Sequence, residues 1–179
     1  MSSKKDLKPE DIVKSFKDEF KGKIYESRIE KYVRGLKKNE FFHVWMKIDR
    51  DIIKDFVKHL KKFEKYPHFA VSSGYDIGET IDIVYHFSVG YGEKGRDISI
   101  NATVSLPKSD PTIDTITDII PGALISEQEK QEMLGIIVKD IPKNERVFVA
   151  KDFPEGVYPW RKDEKGPDKY INNLHEVKK

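Results

Sequence analysis

Two stretches, IDIVYHFSV at residues 81–89 and ISINATVSL at residues 98–106, decide the fold of this chain. Apolar and polar side chains alternate along both stretches, and a glycine-containing loop, GYGEKGR at 90–96, joins them. Period-two alternation on both sides of such a loop predicts two antiparallel strands with one buried face. Because that face needs a covering layer, the sequence predicts an α+β fold: a mostly antiparallel sheet backed by helices, followed by an extended C-terminal tail.

The residues before the hairpin predict two amphipathic helices and two further strands. Apolar residues recur at helical spacing over about 9–20 and, most clearly, over about 50–64, where Asp49 or Asp51 stands near the positive end of the helix. Residues 25–34 are compatible with helix or strand, and the aromatic, β-branched run FFHVWMKI at 41–48 favours a pair of strands.

Three short elements are predicted after the hairpin. Asp110-Pro111 is typical of a helix start, which predicts a short helix as far as Ile119. Ser126 to Glu129 has the form of a capping box, so a second helix is expected over 127–134, with Gly135 as its left-handed cap. Residues 146–150 are compatible with a last short strand.

The chain divides into three parts by this interpretation. Residues 1–22 are a polar N-terminal helix or arm, residues 23–150 form the α+β domain, and residues 151–179 form an extended tail. Prolines without any periodicity characterise the tail, so we expect it to bury little against its own domain.

Composition excludes several classes of function. The 179 residues include 33 Lys+Arg and 31 Asp+Glu, interleaved almost everywhere, which disfavours binding to nucleic acid. Cysteine is absent, which excludes disulfides, thiolate nucleophiles and cysteine-ligated iron–sulfur clusters within the chain. No signal peptide or membrane-spanning run is recognisable, so we expect an intracellular or membrane-peripheral protein. The absence of cysteine and the richness in Lys, Glu and Ile resemble the composition of hyperthermophile proteins.

Histidines and glycine-rich loops give no catalytic pattern. The five histidines show no metal-binding spacing, and we expect surface or partly packed roles for them. Ser72-Ser73-Gly74 lacks a nucleophile elbow, and the loop at 90–95 precedes a strand instead of a helix, so both are interpreted as hairpin turns.

Two groups of residues remain as candidates for contact with a partner. Glu129 and Glu132 share one helical face near Glu127, where they form either a solvated surface or partners for another protein's arginines. In the tail, aromatic side chains occur among prolines beside an arginine, which is typical of interface anchors. The predicted interface residues are Glu127, Glu129, Glu132, Phe153, Tyr158, Trp160 and Arg161.

The order of these parts resembles a known family. TDIIPGALISEQEKQEMLGI at 117–136, followed by NERVFVAKDFPEGVYPWRKD at 144–163, is similar to the C-subunit family of respiratory NADH-quinone oxidoreductase, complex I. The resemblance covers roughly residues 24–165. Gln128 replaces the arginine of the family motif, and the histidine before Pro142 is missing. The divergent motif looks like the form found in archaeal membrane-bound hydrogenases and their sulfur-reducing relatives.

This resemblance implies a function in which the chain itself performs no chemistry. It would be a peripheral, non-catalytic subunit of a ferredoxin-linked, ion-pumping membrane complex that evolves H2, on the cytoplasmic side of the membrane. The chain would bind no cofactor, because the NiFe centre and the iron–sulfur clusters belong to the large and iron–sulfur subunits. The tail would wrap the large subunit. A sulfur-reducing or quinone-reducing host is an alternative.

Two other hypotheses remain open from the residues alone. His86, Asn101 and Asp82 on the hairpin face are compatible with an autonomous ligand-binding or enzymatic domain. Phe41, Trp45 and Lys47 on one strand are compatible with a nucleic-acid-binding module.

Overall fold

A computed structural model describes residues 7–36, 38–92 and 97–171. Three α-helices and seven strands are formed within these ranges, with short 3-10 turns at Arg50–Ile52, Pro121–Ala123 and Asp168–Tyr170. In chain order they are α1 (Pro9–Glu19), β1 (Ile24–Arg34), β2 (Asn39–Ile48), α2 (Ile53–Leu60), β3 (His68–Asp76), β4 (Thr80–Val89), β5 (Ile98–Pro107), β6 (Thr112–Asp114), α3 (Leu124–Leu134) and β7 (Ile137–Lys139).

The main sheet has five strands in the order β1-β2-β5-β4-β3. Three of its four pairings are antiparallel, and β2 pairs with β5 in parallel, with Val44 opposite Ile100. The parallel pair follows from the chain path, because β5 returns beside β2 only after α2, β3 and β4 have been formed. The α+β class and the mostly antiparallel sheet are confirmed, whereas β3 and the parallel pairing were not predicted.

The β4–β5 hairpin has the predicted register and burial. Tyr85 lies opposite Ala102, and Ile83 lies opposite Val104. These four side chains are buried on the same face of the sheet. Alternation in the sequence therefore identified the buried face correctly, since successive strand residues point to opposite sides.

Helices α1 and α2 pack together on the buried face through aromatic side chains. The ring centroids of Phe16 and Phe56 are 4.3 Å apart, and Phe56 also lies beside Phe87 of β4. Ile12 and Phe16 are fully buried, so α1 belongs to the same core as the sheet. The N-terminal helix is therefore amphipathic, with only its outer side polar.

Structure after the hairpin differs from the predicted elements in three places. The expected helix from Asp110 to Ile119 is instead strand β6, whose β-branched Thr112 and Ile113 pair in parallel with β7. Helix α3 begins at Leu124, upstream of the expected capping box. Residues 146–150 form no strand, because amides of this segment bond to a side chain instead of to another strand.

The end of α3 follows the predicted pattern. Gly135 has a φ of 70°, the left-handed conformation that terminates a helix, and its N–H donates to the carbonyl of Gln131. Ser126 has another role than capping: its Oγ accepts the backbone N–H of Ser72 at 2.9 Å. This bond ties α3 to the outer edge of β3.

Candidate functional site

The hairpin face brings together two of the three residues proposed for a ligand site. His86 Nδ1 lies 2.7 Å from Asn101 Oδ1, and His86 Nε2 lies 2.9 Å from Ser73 Oγ. Asn101 Nδ2 donates to the carbonyl of Val44, which turns Oδ1 towards the imidazole. Because Oδ1 can only accept, the imidazole donates from Nδ1. Asp82 takes no part in this ladder and pairs instead with the Thr80 hydroxyl.

This polar ladder crosses β3, β4, β5 and β2, and the partners of the imidazole in it are a hydroxyl and an amide. In the Ser-His-Asp arrangement a carboxylate orients the histidine, whereas here an amide does so. Within the described ranges, no group of three or more His, Asp or Glu residues has the geometry to hold a metal ion. The ladder therefore joins strands and does not resemble a general-base site.

The strand with Phe41, Trp45 and Lys47 carries compensating acidic contacts. Glu30 on β1 accepts the Trp45 indole N–H at 3.0 Å, and Arg28 lies over the same ring at 4.9 Å from its centroid. An acidic and a basic side chain thus share the aromatic ring, which is unlike the purely basic groove that tracks a nucleic-acid backbone.

Glu127, predicted on a solvated or partner-facing side of α3, is buried instead. The side chain is 2% exposed, its Oε1 accepts the N–H of Ile116 at 2.8 Å, and its Oε2 accepts the Thr115 hydroxyl. Burial raises the pKa of Glu127 above its ordinary value of 4.5, and these two hydrogen bonds oppose that rise. The expectation of an exposed Glu127 is wrong, because the residue closes the turn after β6 against α3.

Glu129 makes an ion pair inside its own chain. Its carboxylate bonds to the ammonium of Lys130, a lysine that is itself only 2% exposed. The Lys130 ammonium also lies 5.2 Å from the centroid of the Trp160 ring. Helix α3 and the tail therefore meet through a buried cation and an aromatic face, an arrangement that stabilises a cation away from water.

Glu132 holds a loop. Its two carboxylate oxygens accept the backbone N–H groups of Val147, Phe148 and Val149 at 2.5, 2.8 and 2.9 Å. Hydrogen bonds to an ionised carboxylate are about twice as strong as neutral ones. The segment that was expected to be a strand is therefore fixed by one side chain of α3.

Arg161, predicted as an interface anchor, is buried in its own domain. Its guanidinium donates to Asp163 and to the carbonyl of Leu134, and it lies 3.6 Å from Asp76. Lys108, just after β5, bridges the same two carboxylates, at 2.7 Å from Asp163 and 2.8 Å from Asp76. The expectation that the tail buries little is wrong here, because Arg161 and Asp163 of the tail form ion pairs with Asp76 and Lys108 of the sheet region.

The neighbouring charges in this cluster change the pKa values of Asp163, Asp76 and Lys108. Arg161 holds the pKa of Asp163 well below its ordinary range. Burial alone would raise the pKa of Asp76, but hydrogen bonds from Lys108, the Lys162 N–H and the Gly78 N–H lower it. Burial likewise opposes the charge of Lys108, yet bonds to Asp163 and Asp76 raise its pKa. Asp163, Asp76 and Lys108 are therefore ionised near neutral pH.

The aromatic residues of the tail differ in exposure. The Tyr158 ring fills the space above Gly135, where any side chain would collide with it. Phe153 is half-buried, and its carbonyl accepts a bond from Arg146 at 2.9 Å. Trp160 remains 41% exposed, while its backbone N–H donates to the carbonyl of Met133. Among the predicted aromatic anchors, Trp160 offers the largest exposed fraction.

The last turn of α3 thus organises the C-terminal part of the chain. Four successive residues each contact a segment that has no regular structure of its own: Glu132, Met133, Leu134 and Gly135. In the described part of the tail, residues 151–171, only the expected lack of α-helix and strand is seen, because this segment packs against its own domain.

Three residues of this region were not predicted from the sequence: Asp76, Lys108 and Lys130. Their roles depend on distant parts of the chain, because their partners come from the tail.

Comparison with known proteins decides the family. Residues 46–170 match the family described as respiratory-chain NADH dehydrogenase, 30 Kd subunit. The chain belongs to this family. The resemblance recognised in the sequence is thereby confirmed.

Relatives within the 30-kDa subunit family are named as parts of oxidoreductases. Membrane-bound hydrogenase subunit beta of Pyrococcus furiosus is 33% identical over 131 residues, which are 73% of this chain and 75% of that protein. The C/D 2 subunit of NADH-quinone oxidoreductase of Aquifex aeolicus is 26% identical over 154 residues, 86% of this chain but 23% of that one. This chain is therefore a 30-kDa family subunit of the kind found in hydrogenase and complex I-like assemblies.

A solved structure shows the same fold. The structure of the membrane-bound sulfane sulfur reductase, an archaeal respiratory membrane complex, contains a chain that superposes with a TM-score of 0.66. The match covers 96% of this 30-kDa family member and 98% of that chain, at 20% identity. Within the described residues, the helices are too short or too polar to cross a membrane.

Proposed function

We propose that this chain is a non-catalytic, peripheral subunit of a membrane-bound, ferredoxin-linked, ion-pumping complex that evolves H2. In this proposal it packs against the large catalytic subunit on the cytoplasmic side of the membrane. The observation that carries the proposal is the similarity to the hydrogenase subunit beta, which extends over about three quarters of both chains.

The geometry supports a binding role in preference to a catalytic one. The charged groups with perturbed pKa values in the α3 and tail region, such as Asp76, Asp163 and Glu127, are occupied by internal partners. A catalytic acid or base needs to reach a substrate proton, and these carboxylates are committed to hydrogen bonds within the fold. The exposed aromatic Trp160 has the character of an interface anchor.

The C/D relative supports the identity of the partner. Its name joins two subunits, and this chain matches only 23% of its length. A domain that is covalently joined to another subunit in one relative is expected to contact the corresponding separate subunit elsewhere. We therefore infer that the chain binds the large subunit directly and that the NiFe centre and iron–sulfur clusters lie in partner subunits.

Purification of the host complex tests this function. The tagged chain should co-purify with a nickel-containing large subunit, and the preparation should evolve H2 from reduced ferredoxin, whereas the isolated chain should contain no stoichiometric nickel or iron by metal analysis. Reduction of sulfur or quinone by the same preparation would favour the alternative hosts. A chain that purifies alone under all conditions would contradict the proposal.

Point substitution is a sharper test than deletion of the tail. Removing residues from Phe153 onward also removes Arg161 and Tyr158, which are engaged in the chain's own fold. Trp160→Ser removes an exposed ring and leaves those contacts in place. Reduced co-purification of this variant is the expected result, with a small loss of thermal stability because the contact between the ring and the Lys130 ammonium is also removed.

A further inference from the structure

The loop that follows β7 is tied to α3 by hydrogen bonds although it forms no helix or strand. Glu132 accepts the N–H groups of the three consecutive residues 147–149. At the start of the loop, Gln131 Nε2 donates to Asn144 Oδ1 at 3.0 Å, and Arg146 Nη1 donates to the Phe153 carbonyl near its end. These contacts bind the backbone at 147–149 and at Phe153, and they tie the Asn144 side chain to α3.

Two apolar side chains are displayed by this loop. Val147 is 51% exposed and Phe148 is 44% exposed. Apolar surface left in water contributes nothing to the stability of the isolated chain, whereas its burial against a partner is favourable by about 25 cal/mol per Å². A carboxylate that orders a loop and leaves a valine and a phenylalanine outside is therefore better explained by binding than by folding.

The charges beside this pair indicate the chemistry of the partner. Glu145 and Arg146 precede it, and Lys151 and Asp152 follow it after two small apolar residues. Opposite signs alternate on both sides, so neither a polyanion nor an anionic lipid surface is favoured. The backbone N–H groups of 147–149 are already bonded to Glu132, so the loop offers its side chains and not its amides.

We propose that Val147 and Phe148 form a preformed apolar anchor, held in position by Glu132, which inserts into a neutral apolar recess on the large subunit. This inference rests on the proposed function and names the surface that carries it. Glu132 is a positioning residue, because its carboxylate is used by three backbone amides. Because ordering costs of binding are lowered when a loop is rigid beforehand, the anchor gains affinity from its fixed conformation.

Binding of the full-length chain to the large subunit tests the anchor. The probe is the host's large subunit, co-expressed with tagged chain, and the readout is the dissociation constant of the purified pair. Phe148→Ser should weaken binding at least about tenfold, as truncation of a central interface aromatic does. Tyr91→Ser is the matched control, since Tyr91 is 58% exposed in the β4–β5 loop and should bind normally.

Glu132→Gln tests the positioning role. The neutral amide keeps one acceptor oxygen but loses the charge, so binding should weaken while Phe148 remains present. In the double variant with Phe148→Ser, the Glu132 substitution should add less than the loss it causes alone, because both act through the same anchor. Thermal unfolding of the isolated chain should be unchanged by Phe148→Ser. Additive losses in the double variant would overturn the positioning role.

The outcomes separate this inference from the function on which it rests. If the wild-type chain binds the large subunit and Phe148→Ser binds equally well, the anchor is overturned and the proposed function stands. If the wild-type chain does not bind the large subunit, both are overturned. Equal weakening by Phe148→Ser and Tyr91→Ser would also overturn the anchor, because exposure alone would then explain the effect.

Discussion

The guanidinium of Arg161 donates to the carbonyl oxygen of Leu134 at 3.2 Å, so the tail and the last turn of α3 share a buried hydrogen bond. The final carbonyls of a helix have no partner within the helix. Here the tail supplies the donor, and the same guanidinium neutralises Asp163. One arginine thus caps a helix and fixes the part of the tail around residue 161, which forms no α-helix or strand.

Arg161→Ala should destabilise the chain by about 3–5 kcal/mol, because it leaves the carboxylates of Asp76 and Asp163 without one of their buried cations. Chemical denaturation of the purified chain measures this loss. Lys162→Ala is the control: its side chain is exposed, and the change should stay within about 0.5 kcal/mol. Equal stability of the two variants would contradict a structural role for the cluster.

Gly135→Ala should destabilise the fold by about 3 kcal/mol, from left-handed backbone strain together with a collision with the Tyr158 ring. Gly122→Ala is a fitting control, since Gly122 has no heavy atom within 4 Å of an added Cβ. Thermal unfolding of both variants checks the prediction. Replacement of Tyr158 by Ala together with Gly135→Ala should recover the part of the loss that comes from the collision.

Stability should depend on pH in the direction set by the charged cluster. Asp163 and Asp76 have folded-state pKa values below their ordinary 3.8, so their contribution is complete above that pH and is lost as pH falls through the lower folded values. Lys108 has a raised pKa, so its contribution is present below its ordinary 10.5 and lost as pH rises beyond it.

Denaturation between pH 2 and pH 7 tests the predicted fall in stability at low pH, the acid limb of the stability curve. The wild-type chain should lose stability below about pH 4, and Asp163→Asn should be less stable at neutral pH by about 3 kcal/mol with a shallower acid limb. A variant with the same acid limb as the wild type would show that Asp163 does not carry the dependence.

Phe16→Ala should cost about 3–5 kcal/mol, because the ring is fully buried between α2 and the sheet. Lys17→Ala on the exposed side of the same helix is the control and should have little effect. Urea unfolding with a single transition would show that α1 unfolds with the sheet. Loss of α1 alone, with the sheet intact, would contradict a shared core.

Local patterns predicted the parts of the fold that depend on neighbours in the chain. The alternation of 81–89 and 98–106 identified the central hairpin, and Gly135 was identified as the helix cap, because both signals lie within a few residues. Strand β3 was missed, since FAVSSGYD has weak alternation and is defined by pairing with β4. The same reason explains the β6–β7 pair, which joins segments more than 20 residues apart.

The acidic residues of α3 show how far the sequence could predict the candidate site. Spacing placed Glu129 and Glu132 on one helical face, but it did not reveal that Glu132 binds the amides of 147–149 or that Glu127 is buried. The burial of a side chain on α3 depends on which other segments of the chain pack against the helix. For Glu127 that segment is the turn at Thr115 and Ile116, and for Glu132 it is the loop after β7.

By itself, the sequence determined the fold class, the buried face of the hairpin, the absence of cysteine chemistry and the resemblance to the 30-kDa subunit family. These properties follow from composition, from periodicities shorter than ten residues and from motif order. Only the tertiary structure decided that Arg161 and Glu127 are internal while Trp160, Val147 and Phe148 remain exposed. The reason is physical: a charge is stable inside a protein only where distant segments supply its partners, and their convergence is a property of the folded chain.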